Sequence, residues 1–161
     1  MKWFIENLKT LFYALIIAVI IRSLLIQPFY IPSSSMEPNL LVGDRLFVTK
    51  LSYGYSKHSF PFSPPIFDGR ILNSKPSRGD IIVFKTPADN RTDYIKRLVG
   101  LPGDVIQFID GEIYLNNNQI FRTVISKSDE LYCGPKKIEV ITYEEKLPNV
   151  KNYLASYRKD Y

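Results

Sequence analysis

The sequence predicts a mainly β protein: one N-terminal transmembrane helix followed by an antiparallel β-sheet domain. Three observations predict it. An apolar run without charge lies near the start, "LFYALIIAVII" from Leu11 to Ile21. Beyond it come short β-branched and aromatic runs, each opened by an Asp and three of them by a Gly-Asp step. The 11 Tyr, 10 Phe and 11 Pro also favour strands and turns over long helices.

After Arg22 the apolar character resumes to Ile26. As a helix, Leu11 to Ile26 would rise roughly 24 Å, a little short of a ~30 Å hydrocarbon core, with Arg22 able to snorkel to the interface. A cleaved secretory leader needs a small-x-small site soon after its apolar stretch. "QPFYIP" offers none, and Ser33 and Ser35 lie too far on, so the run reads as an uncleaved anchor. Lys2 and Lys9 then hold the N-terminus in the cytoplasm. The chain after Gln27 is expected on the outer, periplasmic or extracellular side of a bacterial inner membrane.

The strand runs are "DRLFVTKL" from Asp44, "DIIVF" from Asp80, "DYIKRLV" from Asp93 and "DVIQFI" from Asp104. Gly43-Asp44, Gly79-Asp80 and Gly103-Asp104 each read as a turn leading into a strand. In "VIQFIDGEIYLNNNQIF", Asp110-Gly111 is a favoured two-residue hairpin turn, and Asn116 to Asn118 make a second turn. Residues 52–76, rich in Ser, Pro, Tyr and Phe, read as a long irregular excursion. The charged, Tyr-rich stretch after Ser126 has little periodicity. The expected organisation is an anchor over 1–27, a β domain over 28–126 and a charged segment over 127–161.

Composition excludes several classes. Net charge is +5, but Lys and Arg are interspersed with acids rather than gathered on one tail, which argues against a nucleic-acid partner. Cys133 is the only cysteine and His58 the only histidine. That leaves no intrachain disulfide and no Cys₂His₂ zinc site, and no metal or cofactor is expected.

The stretch "IQPFYIPSSSMEPNLLVGD" packs Ser33, Ser34 and Ser35 between two prolines. By composition it is a connection. It becomes chemical only if the chain supplies a base. His58, in "YSKHSFPFSPP", reads as a solvated loop residue. A lysine serves instead when it is desolvated enough to act as a free amine. In "DYIKRLVGLPGD", strand alternation puts Lys96 on one face between Tyr94 and Leu98, both large and largely apolar. A strand lysine that simply extends to water is the plainer alternative.

Taken together, "IPSSSMEPNLLVGDRLFVTKLSYG", "SRGDIIVF" and "YIKRLVGLPGD" resemble consecutive signature segments of bacterial type I signal peptidases, and Arg22-Ser23 and "QPF" match as well. The resemblance covers about residues 8–108. It implies the signal peptidase/SOS-repressor protease type of β domain. Ser35 resembles the nucleophile and Lys96 the general base. The Ser35 N–H and the Ser33 hydroxyl resemble the oxyanion hole, and Ser34 stands where the family commonly has glycine. Phe29, Ile31, Met36, Leu40, Tyr94 and Ile95 resemble the lining of shallow pockets for small side chains at −1 and −3; plain core packing is their other reading. Arg97 and Asp104 resemble structural positions. The implied partners are signal peptides of exported preproteins and the lipid bilayer, and the implied state is a monomer.

Family members normally close the fold with a final segment carrying Gly-Asp, Asn-Ser, Asp and Ser-Arg elements. Its aspartate pairs with the arginine that Arg97 resembles. No such segment occurs before Tyr161. The fold is therefore expected to be incomplete there, with 127–161 the start of an inserted subdomain. An inactive fragment or a membrane-anchored β module is the alternative to an active enzyme.

Overall fold

The computed structural model describes residues 2–159. Its first element is a single helix, α1 (Lys2–Leu24), long and apolar enough to cross a membrane. At about 1.5 Å per residue it rises about 35 Å. The helix starts earlier than the uncharged run because residues 2–10 also favour helix, and the Thr10 hydroxyl bonds back to the Glu6 carbonyl at 3.0 Å. It stops at Leu24 because Pro28 forces Gln27 toward extended backbone. Ile26, expected at the end of the anchor, instead opens strand β1 (Ile26–Tyr30).

The chain divides into two units. The first comprises Met1–Phe29 and Arg45–Lys75. Here β1 pairs with β2 (Arg45–Thr49) in a two-stranded sheet. A helix C-terminus leaves carbonyls without intrahelical donors. Tyr55 Oη supplies one, donating to the Leu24 carbonyl at 2.7 Å, and just past the helix the Lys50 N–H donates to the Leu25 carbonyl at 3.0 Å. The excursion carries short 3₁₀ turns at Leu51–Tyr53 and Lys57–Ser59 and an isolated bridge between Tyr55 and Ile71.

The second unit comprises Tyr30–Asp44 and Pro76–Tyr161. Strand β3 (Ile81–Lys85) pairs antiparallel with β4 (Asp93–Arg97), Ile82 opposite Lys96. A meander follows: β5 (Ile106–Ile109), β6 (Glu112–Leu115) and β7 (Asn118–Gln119). Both its turns use two residues of positive φ, Asp110-Gly111 and then Asn116-Asn117. This is the geometry whose twist suits a two-residue hairpin.

Residues 121–158, where the sequence shows little periodicity, form a third antiparallel sheet in this unit, of β8 (Phe121–Cys133), β9 (Lys136–Lys146) and β10 (Tyr153–Arg158). Hydropathy misses it because its buried positions are partly polar. Val140 is buried, but so are Thr142 and Glu145. Thr142 Oγ1 donates to Asp129 at 2.5 Å, and Asp129 also accepts from Ser126 at 2.7 Å. These bonds sit where the β8–β9 register shifts, between Val124 and Asp129.

All three Gly-Asp steps build the same turn. The N–H of Asp44, Asp80 and Asp104 bonds the carbonyl three residues back, on Leu41, Ser77 and Leu101. Glycine stands third, with φ of 101°, 90° and 94°, as a type II turn requires. Each aspartate side chain then accepts from the N–H at the start of its own turn, at 2.8, 2.8 and 2.6 Å. Asp104 adds Arg78 at 2.9 Å and Asn116 at 2.8 Å, and these bonds hold its carboxyl down at about 2.

The core of this unit joins the β5–β7 meander to the β8–β10 sheet. Leu115, Ile120 and Leu147 are buried together, with Val99, Ile113, Val150 and Tyr153 packed around them. Leu147 has no exposed surface. Leu147→Ala is expected to cost about 2–5 kcal/mol, read as a lower denaturant midpoint at unchanged slope. The carboxylate of Asp104 is favoured in the fold, so its contribution is full above about pH 4 and fades as pH falls toward about 2. Asp104→Asn is therefore expected to lower the thermal midpoint at neutral pH and to flatten its fall between those two pH values.

Candidate active site

The serine loop is pinned at its two ends. Ile31 and Asp44 face each other, with the Ile31 N–H on the Asp44 carbonyl at 2.9 Å and the Gly43 N–H on the Ile31 carbonyl at 2.9 Å. Inside the loop, Ser34–Met36 form one 3₁₀ turn, closed by the Glu37 N–H on the Ser34 carbonyl. Ser35 is second in that turn. Its N–H is therefore one of those a helix start leaves without an intrahelical acceptor. Met36 and Ile31 are buried beneath the loop, which leaves the Ser35 hydroxyl exposed on top.

Lys96 reaches this hydroxyl from β4. Its Nζ lies 2.5 Å from Ser35 Oγ across 61 residues of sequence, and 2.9 Å from the carbonyl of Ile95. Burial lowers the Lys96 amine below the usual lysine range. The Tyr94 ring, 5.5 Å from Nζ on the same strand face, acts in the opposite direction by attracting the ammonium. Desolvation prevails. Ser33 Oγ is 3.4 Å from Ser35 Oγ, so two hydroxyls and one amine meet in one place. A lysine amine can withdraw the proton of an adjacent serine hydroxyl and make it a nucleophile once it is itself deprotonated, and a lowered pKa makes that state easier to reach.

The remaining sequence-predicted residues divide by position. Leu40 and Ile95 are half-buried and Tyr94 is exposed, edge-on to Phe84 at 6.2 Å. Strand alternation turns the Ile95 side chain away from the Lys96 face. Its main-chain carbonyl is the group that reaches the amine. Phe29 lies half-buried on β1, in the first unit. Ser34, in the same turn as Ser35, is half-buried. His58 sits in the excursion with Nδ1 3.2 Å from Ser63 Oγ. Arg97 donates to the Gly79 carbonyl at 2.8 Å and approaches Asn39 Oδ1 at 3.4 Å. Asn39, four residues past Ser35, carried no signal in the sequence beyond its place in the serine loop.

A family model described as "Signal peptidase, peptidase S26" matches residues 4–156. The chain belongs to the S26 signal peptidase family. Signal peptidase I of Rickettsia typhi is 43% identical over 145 residues, 89% of this chain and 53% of that protein. Signal peptidase I of Rickettsia canadensis is 42% identical over 152 residues, 93% of this chain and 56% of the relative. The chain thus spans about half the length of the curated relatives it matches. The match runs well past residue 108, through β8, β9 and into β10, where sequence motifs alone had carried the S26 resemblance no further.

The geometry around Lys96 sets a direction for titration. The fold favours its neutral form, so between the lowered folded pKa and about 10.4 the unfolded chain binds more protons. Stability gains with rising pH across that window. In a ¹³C-labelled lysine titration by NMR, the resonance lost in Lys96→Arg is expected to have the earliest midpoint among the lysines. A midpoint at the ordinary lysine value would contradict the burial.

Proposed function

We propose that this S26 family member is a membrane-bound serine endopeptidase that removes signal peptides from exported preproteins, using Ser35 as nucleophile and Lys96 as general base. The observation that carries the proposal is the 2.5 Å approach of Lys96 Nζ to Ser35 Oγ, made by two segments 61 residues apart. The Signal peptidase I name of the relatives supports the substrate class.

The reaction is acyl transfer. Lys96 as free amine takes the Ser35 proton, and the alkoxide attacks the carbonyl carbon of the residue at −1. Negative charge then develops on the carbonyl oxygen, where the Ser35 N–H and the Ser33 hydroxyl donate to it. Collapse passes the proton from the Lys96 ammonium to the leaving amine, which departs as the N-terminus of the mature protein. Water, deprotonated by the same lysine, attacks the acyl-enzyme and frees Ser35. Small residues at −1 and −3 suit the shallow apolar surface offered by Tyr94, Leu40 and their neighbours.

The anchor raises the encounter rate. A preprotein held in a bilayer by its own leader meets an enzyme held in the same bilayer at high effective concentration. Helix α1 is the anchor in this reading, with the N-terminus cytoplasmic and Ser35 on the outer side. The unit that contains α1 also exposes Phe47, Phe62, Ile66 and Leu72, apolar surface of the kind that settles at a lipid interface.

Detergent-solubilised protein is expected to cut a preprotein bearing an Ala-x-Ala site once, directly after the second alanine. Ser35→Ala and Lys96→Ala should each lower the rate by on the order of 10³ or more. Ser33→Ala should lower kcat by about 10²–10³ with little change in KM. The rate should climb with pH as Lys96 loses its proton. No cleavage by the unmodified chain would sink the assignment, and cleavage persisting in both dyad variants would sink the dyad.

A further inference from the structure

Strand β10 touches the residues that follow both members of the pair. The Leu154 carbonyl accepts from Asn39 Nδ2 at 2.6 Å, and Asn39 belongs to the loop that carries Ser35. The preceding residue, Tyr153, lays its ring under Arg97, with the guanidinium carbon 4.4 Å from the ring centroid. Arg97 is the neighbour of Lys96 on β4 and points to the other face. Asn39 and Arg97 also approach each other, at 3.4 Å.

Among the described residues Arg97 makes no ion pair. Its charge is met instead by the Gly79 carbonyl, the Asn39 amide oxygen and the Tyr153 ring. The ring is itself fixed. Tyr153 Oη donates to Glu145 Oε2 at 2.6 Å, and the other oxygen of this buried carboxylate accepts from Tyr157. Burial and the hydrogen bonds to Glu145 raise both phenols well above their ordinary range, so each keeps its proton and stays a donor. Gly79 is held from the same side. A Cβ there would collide with a methyl of Val150, and the residue has a φ of 90°.

We infer that Tyr153, fixed by Glu145, is a positioning residue for the Ser35/Lys96 pair, acting through Arg97 while its neighbour Leu154 holds Asn39. The arrangement has a mechanical logic. One strand grips the serine loop by a main-chain carbonyl and the base strand by a ring. A shift of β10 therefore moves both together rather than separating them. The inference rests on the reading of Ser35 and Lys96 as nucleophile and base.

The test uses the full chain in detergent and two readouts, the Lys96 titration by NMR and the kcat and KM for an Ala-x-Ala peptide. The groups facing Lys96 are the Ser35 hydroxyl, the Ile95 carbonyl and the Tyr94 ring, and all remain in every variant. Tyr153→Leu removes the aromatic face. Lys96 should then titrate higher by about half a pH unit or more as it becomes less enclosed. The kcat should drop about tenfold or more at little change in KM, since a small misplacement of reacting groups is costly. Tyr153→Phe keeps the ring and should restore both readouts, even where loss of the bond to Glu145 lowers the thermal midpoint. Asn39→Ala, an exposed change, should move Lys96 in the same direction by less, and it decides the matter if Tyr153→Leu does not fold. An unmoved Lys96 in Tyr153→Leu and Asn39→Ala would overturn the inference, as would shifts in Leu and Phe variants that merely track thermal midpoint. If the unmodified chain does not cleave, the peptidase reading fails on its own, and the titration still decides this one.

Discussion

Everything at the site depends on a 2.5 Å contact between an amine and a hydroxyl that the chain brings from 61 residues apart. Such a contact is easily lost, because lysine carries more rotamer freedom than most side chains and water competes for both partners. The structure limits that freedom from each end. The serine loop is closed by main-chain bonds at Ile31, Gly43 and Asp44, and the lysine stands on a strand whose register with β3 is fixed over five pairs. Burial then lowers the amine below the usual lysine range, so that it gives up its proton more readily. The chemistry follows from geometry first and from desolvation second.

Much of this was legible in the sequence, for identifiable reasons. The Gly-Asp steps signal their turns because only glycine tolerates the backbone there and the aspartate closes the turn onto itself. Asp110-Gly111 signals its hairpin in the same way. Lys96 stood out through its neighbours at alternate positions, and Ser35 through its place between prolines. Each of these signals is local, contained within a few residues.

What escaped the sequence was long-range or polar. The β8–β9–β10 sheet buries Thr142 and Glu145, so no apolar alternation announces it, and its register shifts break what period there is. The partners of Arg97 are a glycine carbonyl, an amide and a ring from three separate stretches of chain. Pattern reading looks for a carboxylate opposite an arginine. The residues proposed for the pockets were ambiguous for another reason: an apolar side chain beneath a loop and one lining a shallow cleft have the same composition, though Ile31 and Met36 are buried and Tyr94 is exposed.

The end of α1 has a consequence of a different kind. The Leu24 carbonyl is taken by Tyr55 of the excursion, and the Leu25 carbonyl, just past the helix, by Lys50 directly after β2, rather than by the segment that continues the chain. A pull along the helix axis is thus shared between two paths, one covalent through Gln27 and Pro28 and one through hydrogen bonds into the irregular turns. Within this unit the excursion works as a strain relief. Lengthening or nicking it would leave the covalent path to bear the whole load.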